Sequence, residues 1–344
     1  MSLLAYIIRR LLLMIVVLFG VTLIVFSILM ILPPGMRVAA FVKSSKVTPQ
    51  QMEAMIHKYG MDQPAPVQYL HWIESMAQGN FGYSSVAQEP VLKAFTQYFP
   101  VTLELVLYAV PLIIFVGIVL GTIGAVHKDR PADHFTRVFA IIGYSLPTFW
   151  LGLILMMFFY GYVGIFPPGL LSNEMSDLVH SASFHRYTGL LTIDGILNWR
   201  WDVVVSALYH LFLPVFNLVL LSSALIMRLM RSTMLEALGQ DYIRTALAKG
   251  ADRRTIIRKH ARRNALIPVV TISGVLFAGL MGGAVITETI FNRPGIGLWT
   301  AQAAILLDVP AVMFNVLFLG VVFVFVNLVV DIIYAYLDPR IRLG

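Results

Sequence analysis

Apolar and polar positions are unevenly distributed along this chain: apolar residues gather into long runs, and polar residues fill the stretches between them. A bilayer core of roughly 30 Å is crossed by about 20 mostly apolar residues in a helix. Six runs meet that length: Leu11–Leu32, Val101–Val126, Phe135–Val163, Val204–Met227, Val269–Thr287 and Ala311–Tyr336. Helix is the expected form, because a lipid-exposed backbone group cannot stay unpaired. Pro33 and Pro34 stop the first run. Arg9 and Arg10 precede that run as they would a signal peptide. The run is too long for a cleaved segment, however, and no small-residue cleavage site follows, so it reads as a span.

Composition supports the same class. Mean hydropathy is +0.81 and only 12% of residues are charged, against about a quarter in soluble domains. The chain has no cysteine, which excludes disulfides and thiolate metal sites. A net charge of +7 raises the question of nucleic acid, but the distribution of the cations answers it through topology. With the N-terminus inside, the inner segments hold Arg9, Arg10, Lys128, Arg130, Arg137, ten cations from Arg228 to Arg263, Arg340 and Arg342. The outer segments hold Arg37, Lys43, Lys46, Lys58, Lys93, Arg186, Arg200 and Arg293, so 17 cations lie inside and 8 outside. The reading is an all-α integral membrane protein with six spans and both termini in the cytoplasm. It forms one membrane domain, 1–344, with lipid as its surroundings and no nucleic-acid partner. A sizeable outer segment, 33–100, separates the first two spans, with Thr48 and Pro49 as a helix start. A second outer segment, 164–202, is rich in Gly, Pro, Ser and His.

The basic stretch DYIRTALAKGADRRTIIRKHARRNALIP, Asp241 to Pro268, lies within the inner segment 228–268. Leu235, Leu238, Tyr242, Ala246 and Leu247 recur at helical spacing and predict an amphipathic helix. Gly250 after Lys249 predicts its stop. Asp252 predicts the cap of a second helix carrying Arg258, Lys259, Arg262 and Arg263. Asn264 and Pro268 lead from it into the fifth span. A short helix ended by a sharp turn forms a knob that can seat in a partner's groove.

That stretch resembles the cytoplasmic coupling (EAA) loop of ABC-importer permeases, above all the dipeptide, oligopeptide and nickel permease family. The matching residues are Tyr242, Arg244, Thr245, Ala246, Ala248, Lys249 and Gly250. They are followed by Lys259 where Arg is usual, then His260, Ala261, Asn264, Ala265 and Pro268. KYGMDQPAPVQYLHW, GNFGYS, GYSLPTFWLG, RSTMLEALGQDYIRTA, TETIFNRPGIG and the terminal DPRIR extend the resemblance along nearly the whole chain. One departure is Pro33-Pro34-Gly35-Met36, where the family usually has Pro-Gly-Asp-Pro. The resemblance implies a permease subunit in a bacterial or archaeal plasma (inner) membrane. It also implies a homologous second permease, two ABC ATPase subunits and an extracytoplasmic substrate-binding protein as partners. Tyr242 to Gly250, Leu247 included, would couple to the ATPases.

Four other residues are candidates for a pathway or gate. Pro147 breaks the third run just after Tyr144, and a proline within a span frees a carbonyl and kinks the helix. Glu104 is an ionisable group in the second run, which is a functional signal by default; it would meet a substrate's amino group, snorkel to the outer interface or pair with a partner subunit. Glu288 opens a polar, turn-rich segment with Asn292, Arg293, Pro294, Gly295 and Gly297. The eight His show no metal-ligand spacing. With no phosphate-loop motif in the chain, ATP and Mg are expected on the partner ATPases, and no cofactor is expected on this chain. The family resemblance implies peptide as the cargo, with nickel chelates or oligosaccharides as alternatives on the same scaffold. An ion-coupled carrier is the alternative from another class. Paired catalytic carboxylates and nucleophile elbows are lacking, so the chain is not expected to be an enzyme.

Overall fold

The computed structural model describes residues 3–39, 48–58 and 60–337. Lys43, Lys46, Arg340, Arg342 and the rest of the DPRIR segment lie outside the described residues. The chain is mostly helical. It begins with α1 (Leu3–Ile31), ended by the two prolines, then α2 (Pro34–Ala39), α3 (Pro49–Lys58) and α4 (Ala65–Ala77). At the start of α3 the Thr48 hydroxyl accepts from the Gln51 N–H at 3.3 Å, and the Gln51 side chain accepts from the Thr48 N–H at 3.0 Å. That reciprocal pair is a capping box, as Thr48 and Pro49 predict. A minimal hairpin, β1 (Tyr83–Ser84) with β2 (Glu89–Pro90), leads into α5 (Val91–Val126).

α6 (Pro131–Ser145) and α7 (Thr148–Leu155) follow, and α7 continues into a π-helical turn, Met156–Tyr162. Next come α8 (Asn173–His180), α9 (Leu191–Leu197), α10 (Trp201–Leu238) and α11 (Asp241–Ala248). α12 (Arg253–Thr255), a π-helical turn (Ile256–Ala261) and α13 (Arg262–Met281) form one unbroken helix. α14 (Val285–Ile290), α15 (Ile296–Ile305) and α16 (Val309–Leu337) complete the chain.

Among the described residues five helices are long and apolar enough to cross a membrane: α1, α5, α10, the 253–281 helix and α16. The third run differs from a simple span. α6 and α7 meet at a bend of 100°, and the two together reach the length of a span. Pro147 takes the extended conformation that caps α7 and cannot donate back into α6. The fifth run also differs: its helix stops at Met281, and Thr287 belongs to the separate α14. Gly283 makes the break, with φ of +109°. A Cβ on Gly283 would sit 2.1 Å from the Gly297 Cα, so only glycine lets these two backbones meet.

The core lies where α5, α10 and α13 pack, around Leu105, Ile113, Leu211, Met230, Met234 and Val269. α5 and α10 approach closely because Gly117 and Gly121 present no side chain to Ile226 and Met227. α16 packs on α13 and α1, and Arg10 holds Asp331 of α16 through two N–H groups, at 2.9 and 3.0 Å. Ile15 and Val16 of α1 are each 65% exposed. That is a lipid-compatible face, since water is not the solvent there.

Candidate functional site

The structure separates the candidate residues into three places. The first is the α11 end of the bundle. α11 is a two-turn helix between Gln240 and Lys249. Its stop is a Schellman motif: the Gly250 N–H donates to the Leu247 carbonyl at 2.9 Å, and the Ala251 N–H donates to the Ala246 carbonyl at 3.1 Å. Gly250 has φ of +82°, the left-handed conformation this stop requires. Asp252 then caps the next helix, accepting from the N–H groups of Arg254 and Thr255 at 3.1 and 3.2 Å. Hydrogen bonds from Thr255 hold the Asp252 carboxyl below the usual carboxylate range, so the cap stays charged at neutral pH.

Two predictions for this region need correction. Leu235 and Leu238 belong to α10, so the expected stripe is split between two helices. The anchor of α11 is Ile243, 3% exposed, in the same apolar cluster as Ile256 and Ala261. Tyr242, Arg244, Thr245, Leu247, Ala248 and Lys249 are exposed, and Ala246 is half-buried. In addition, the second basic helix is not a separate element but the first turns of the 253–281 helix.

The segment after α11 is tied to helix ends. Arg253 donates to the Val126 carbonyl at the end of α5, at 3.4 Å. Arg263 donates to the carbonyls of Leu337 and Tyr336 at the end of α16, at 3.0 and 3.1 Å. Both satisfy carbonyls that a helix C-terminus leaves unpaired. The Thr233 hydroxyl joins α10 to the Ala265 carbonyl at 3.0 Å. Beside these contacts lies an open, polar recess of about 590 Å³ lined by Glu236, Tyr242, Lys259 and His260 among others.

The second place is the opposite end of the bundle, where Glu104 and Glu288 converge on one arginine. Glu104 Oε1 accepts from the Thr192 N–H and hydroxyl, each at 2.8 Å, and Oε2 lies 3.6 Å from Arg293 Nη2. Glu288 Oε1 accepts from the Thr102 hydroxyl at 2.7 Å, and Oε2 accepts from the Leu298 N–H at 2.8 Å. The Thr102 hydroxyl in turn accepts from the Ile296 N–H at 2.8 Å. All three charged groups are buried, Glu104 and Arg293 at 1% exposure and Glu288 at 0%. Burial lowers the Arg293 pKa to about 10, while Glu104 and Glu288 pull it back up, so it remains a cation at neutral pH. The cluster pins α5, α9, α14 and α15 together. Glu104 and Glu288 therefore face protein, with their oxygens engaged.

The third place is the α6–α7 break. Tyr144 is 68% exposed there, and the Arg228 guanidinium carbon lies 4.7 Å from its ring centroid. Near the α11 end, Asp133 of α6 is fully buried. It accepts from Arg231 Nε and Nη2 at 2.6 and 2.9 Å and from Arg137 Nη2 at 2.9 Å. Sequence reasoning missed this network, because Arg137 and the cations from Arg228 onward were weighed only as topology signals and Asp133 is far from Arg231 in the chain. Among the described residues no group of His, Asp and Glu has the arrangement of a metal site.

Comparison with known proteins adds to this geometry. The family model described as binding-protein-dependent transport system inner membrane component matches residues 106–343. Its N-terminal companion matches residues 3–106. The chain is 40% identical to the di/tripeptide transport system permease protein DppB of Pseudomonas aeruginosa, over 98% of this chain and 99% of that protein. It is 37% identical to the dipeptide transport system permease protein DppB of Escherichia coli K12, with the same coverage. The oligopeptide transport system permease protein AppB of Bacillus subtilis is 36% identical, again over 98% and 99%.

Proposed function

Because the chain belongs to the family of binding-protein-dependent transport system inner membrane components, we propose that it forms one side of the passage of an ATP-driven peptide importer, moved through α11. It is a multi-pass inner-membrane permease. Peptide cargo is supported by the names of the relatives, which are di-, tri- and oligopeptide permeases. In the proposed complex a homologous second permease completes the passage, two ATPase subunits carry ATP and Mg on the cytoplasmic side, and a substrate-binding protein delivers cargo from outside. The proposed topology has six spans, counting α6–α7 as one broken span, and both termini in the cytoplasm. The excess of Lys and Arg in the segments assigned to the inside supports it.

The observation that carries this reading is the exposed α11 knob, closed by Gly250 and joined through Arg253 and Arg263 to the ends of α5 and α16. In this scheme Tyr242 to Gly250 form the surface that the ATPase grips. ATP binding closes the ATPase pair, and α11 moves with it. The hydrogen-bonded helix ends follow, and the passage exchanges an outward opening for an inward one. Ligand-driven switching of this kind needs contacts that differ between the two states, and an exposed helix whose buried side chain is Ile243 can change partners without unfolding. Tyr144 and Pro147 at the α6–α7 break line the passage in this scheme. Glu104 and Glu288 act on the outer gate by bracing α14 and α15.

Reconstitution tests the proposal. Liposomes holding this chain, its second permease, the ATPases and the binding protein should accumulate labelled dipeptide only with ATP inside the compartment that holds the ATPases. Uptake by the chain alone, driven by an ion gradient, would establish the carrier reading instead.

A further inference from the structure

Resting on the peptide-permease reading, we infer that Arg228, held on the face of Tyr144, is a station for the terminal carboxylate of the peptide at the cytoplasmic mouth of the passage. Arg228 stands at the junction of the apolar run of α10 and its basic extension. It is exposed. Among the described residues no carboxylate lies within ion-pair distance of it, and its guanidinium carbon lies over the ring of Tyr144, 4.7 Å from the centroid. Several other arginines differ in this respect. Arg231, one turn along the same helix, is locked to the buried Asp133, as is Arg137. Arg10 is locked to Asp331 and Arg293 to Glu104.

The geometry suits anion capture. A guanidinium stacked on an aromatic face gains from the ring quadrupole while its N–H edge stays free. That edge presents a planar fork matched to a carboxylate. A peptide brings such a group, since its terminal carboxyl is ionised at neutral pH. Ile141, Tyr144, Phe149 and Trp150 at the 100° break are all exposed, offering apolar and aromatic contact to varied side chains. At the end of the apolar run the Arg228 head can reach water, as the wet mouth of a passage would supply. Tyr144 then positions Arg228 rather than contacting the carboxylate itself.

The absence of cysteine makes a chemical test direct. Arg228→Cys is prepared in the complete reconstituted complex, beside Arg228→Lys and unmodified protein given the same reagents. Losing a charge-assisted hydrogen bond predicts a fall in dipeptide uptake of about tenfold to a hundredfold. Arg228→Lys, which keeps the cation but loses the planar fork and the stacking, should take up dipeptide at a rate between those of Arg228→Cys and unmodified protein. An aminoethyl thiosulfonate reagent, which restores a cation at the thiol, should recover uptake in the Arg228→Cys complex. A neutral methyl reagent and an anionic sulfonate reagent should not. ATPase stimulation by the loaded binding protein should stay near the unmodified level throughout.

Recovery by the neutral reagent would overturn the inference in favour of packing. A defect that vanishes in liposomes of phosphatidylcholine alone would overturn it in favour of anchoring to anionic headgroups. Failure of the unmodified complex to take up dipeptide would instead strike the peptide-permease reading itself. Only differences between the variants bear on Arg228.

Discussion

Gly250 and Glu104 illustrate how differently single residues can matter here. Gly250 has no atom near where a Cβ would go, within 4 Å, so the Cβ of Gly250→Val meets open space. Its cost is in the backbone, because φ of +82° is strained for a β-branched residue by about 1–2 kcal/mol. The variant is expected to fold and insert but to hydrolyse more ATP per peptide imported, read as the ratio of phosphate released to dipeptide accumulated. Gly250→Asn, which tolerates the left-handed cap, should stay close to the unmodified ratio. Glu104→Gln should behave in the opposite way. It leaves the buried Arg293 without its nearest anion, and breaking such a pair costs about 3–5 kcal/mol. The purified complex should melt earlier in a thermal scan, while the KM for peptide per folded complex stays unchanged. A raised KM with unaltered melting would return Glu104 to the role of a substrate contact. Glu104 was legible in the sequence as an ionisable group in a span. Its partners Thr192 and Arg293 were not, because they lie far along the chain in segments that read as loops.

Among the elements, close packing of α5 on α10 is the least replaceable contact. A Cβ on Gly117 would lie 2.5 Å from the Ile226 Cβ, and one on Gly121 would lie 2.6 Å from the Met227 carbonyl oxygen. Gly121→Leu is therefore expected to separate the two helices and to lose about 1–3 kcal/mol or more, read as a lower melting temperature. Gly279→Ala in α13, with nothing within 4 Å of the new methyl, should leave stability unchanged. Gly117 and Gly121 went unremarked in the sequence, because nothing there says which helix they face. Helix positions followed readily from apolar runs, because lipid makes length and composition decisive. The α6–α7 break was legible only as Pro147. A proline reports lost hydrogen bonding, whereas the 100° bend depends on what packs on each side. The join between the basic segment and α13 went unseen because Pro268 reads as a helix start, yet it sits inside the helix.

At the scale of the whole molecule, charge distribution and shape bear on each other. The orientation predicts that Ser183→Cys is labelled by a membrane-impermeant maleimide in intact cells, and that Thr245→Cys is labelled only after permeabilisation. Labelling of Thr245→Cys in intact cells would invert the scheme. Both positions are exposed. The unbroken helix from Arg253 to Met281 has a consequence at this scale. It contains 29 residues, so it is about 43 Å long at 1.5 Å per residue. Pivoted near its basic foot, a rod of that length swings its far tip by about 7.5 Å for a tilt of about 10°. The tip ends where Gly283 meets Gly297, beside the segment that Glu288 holds. A lever of this reach would let a slight rocking at one membrane surface shift a backbone-on-backbone seam at the other, with no second power source near the seam.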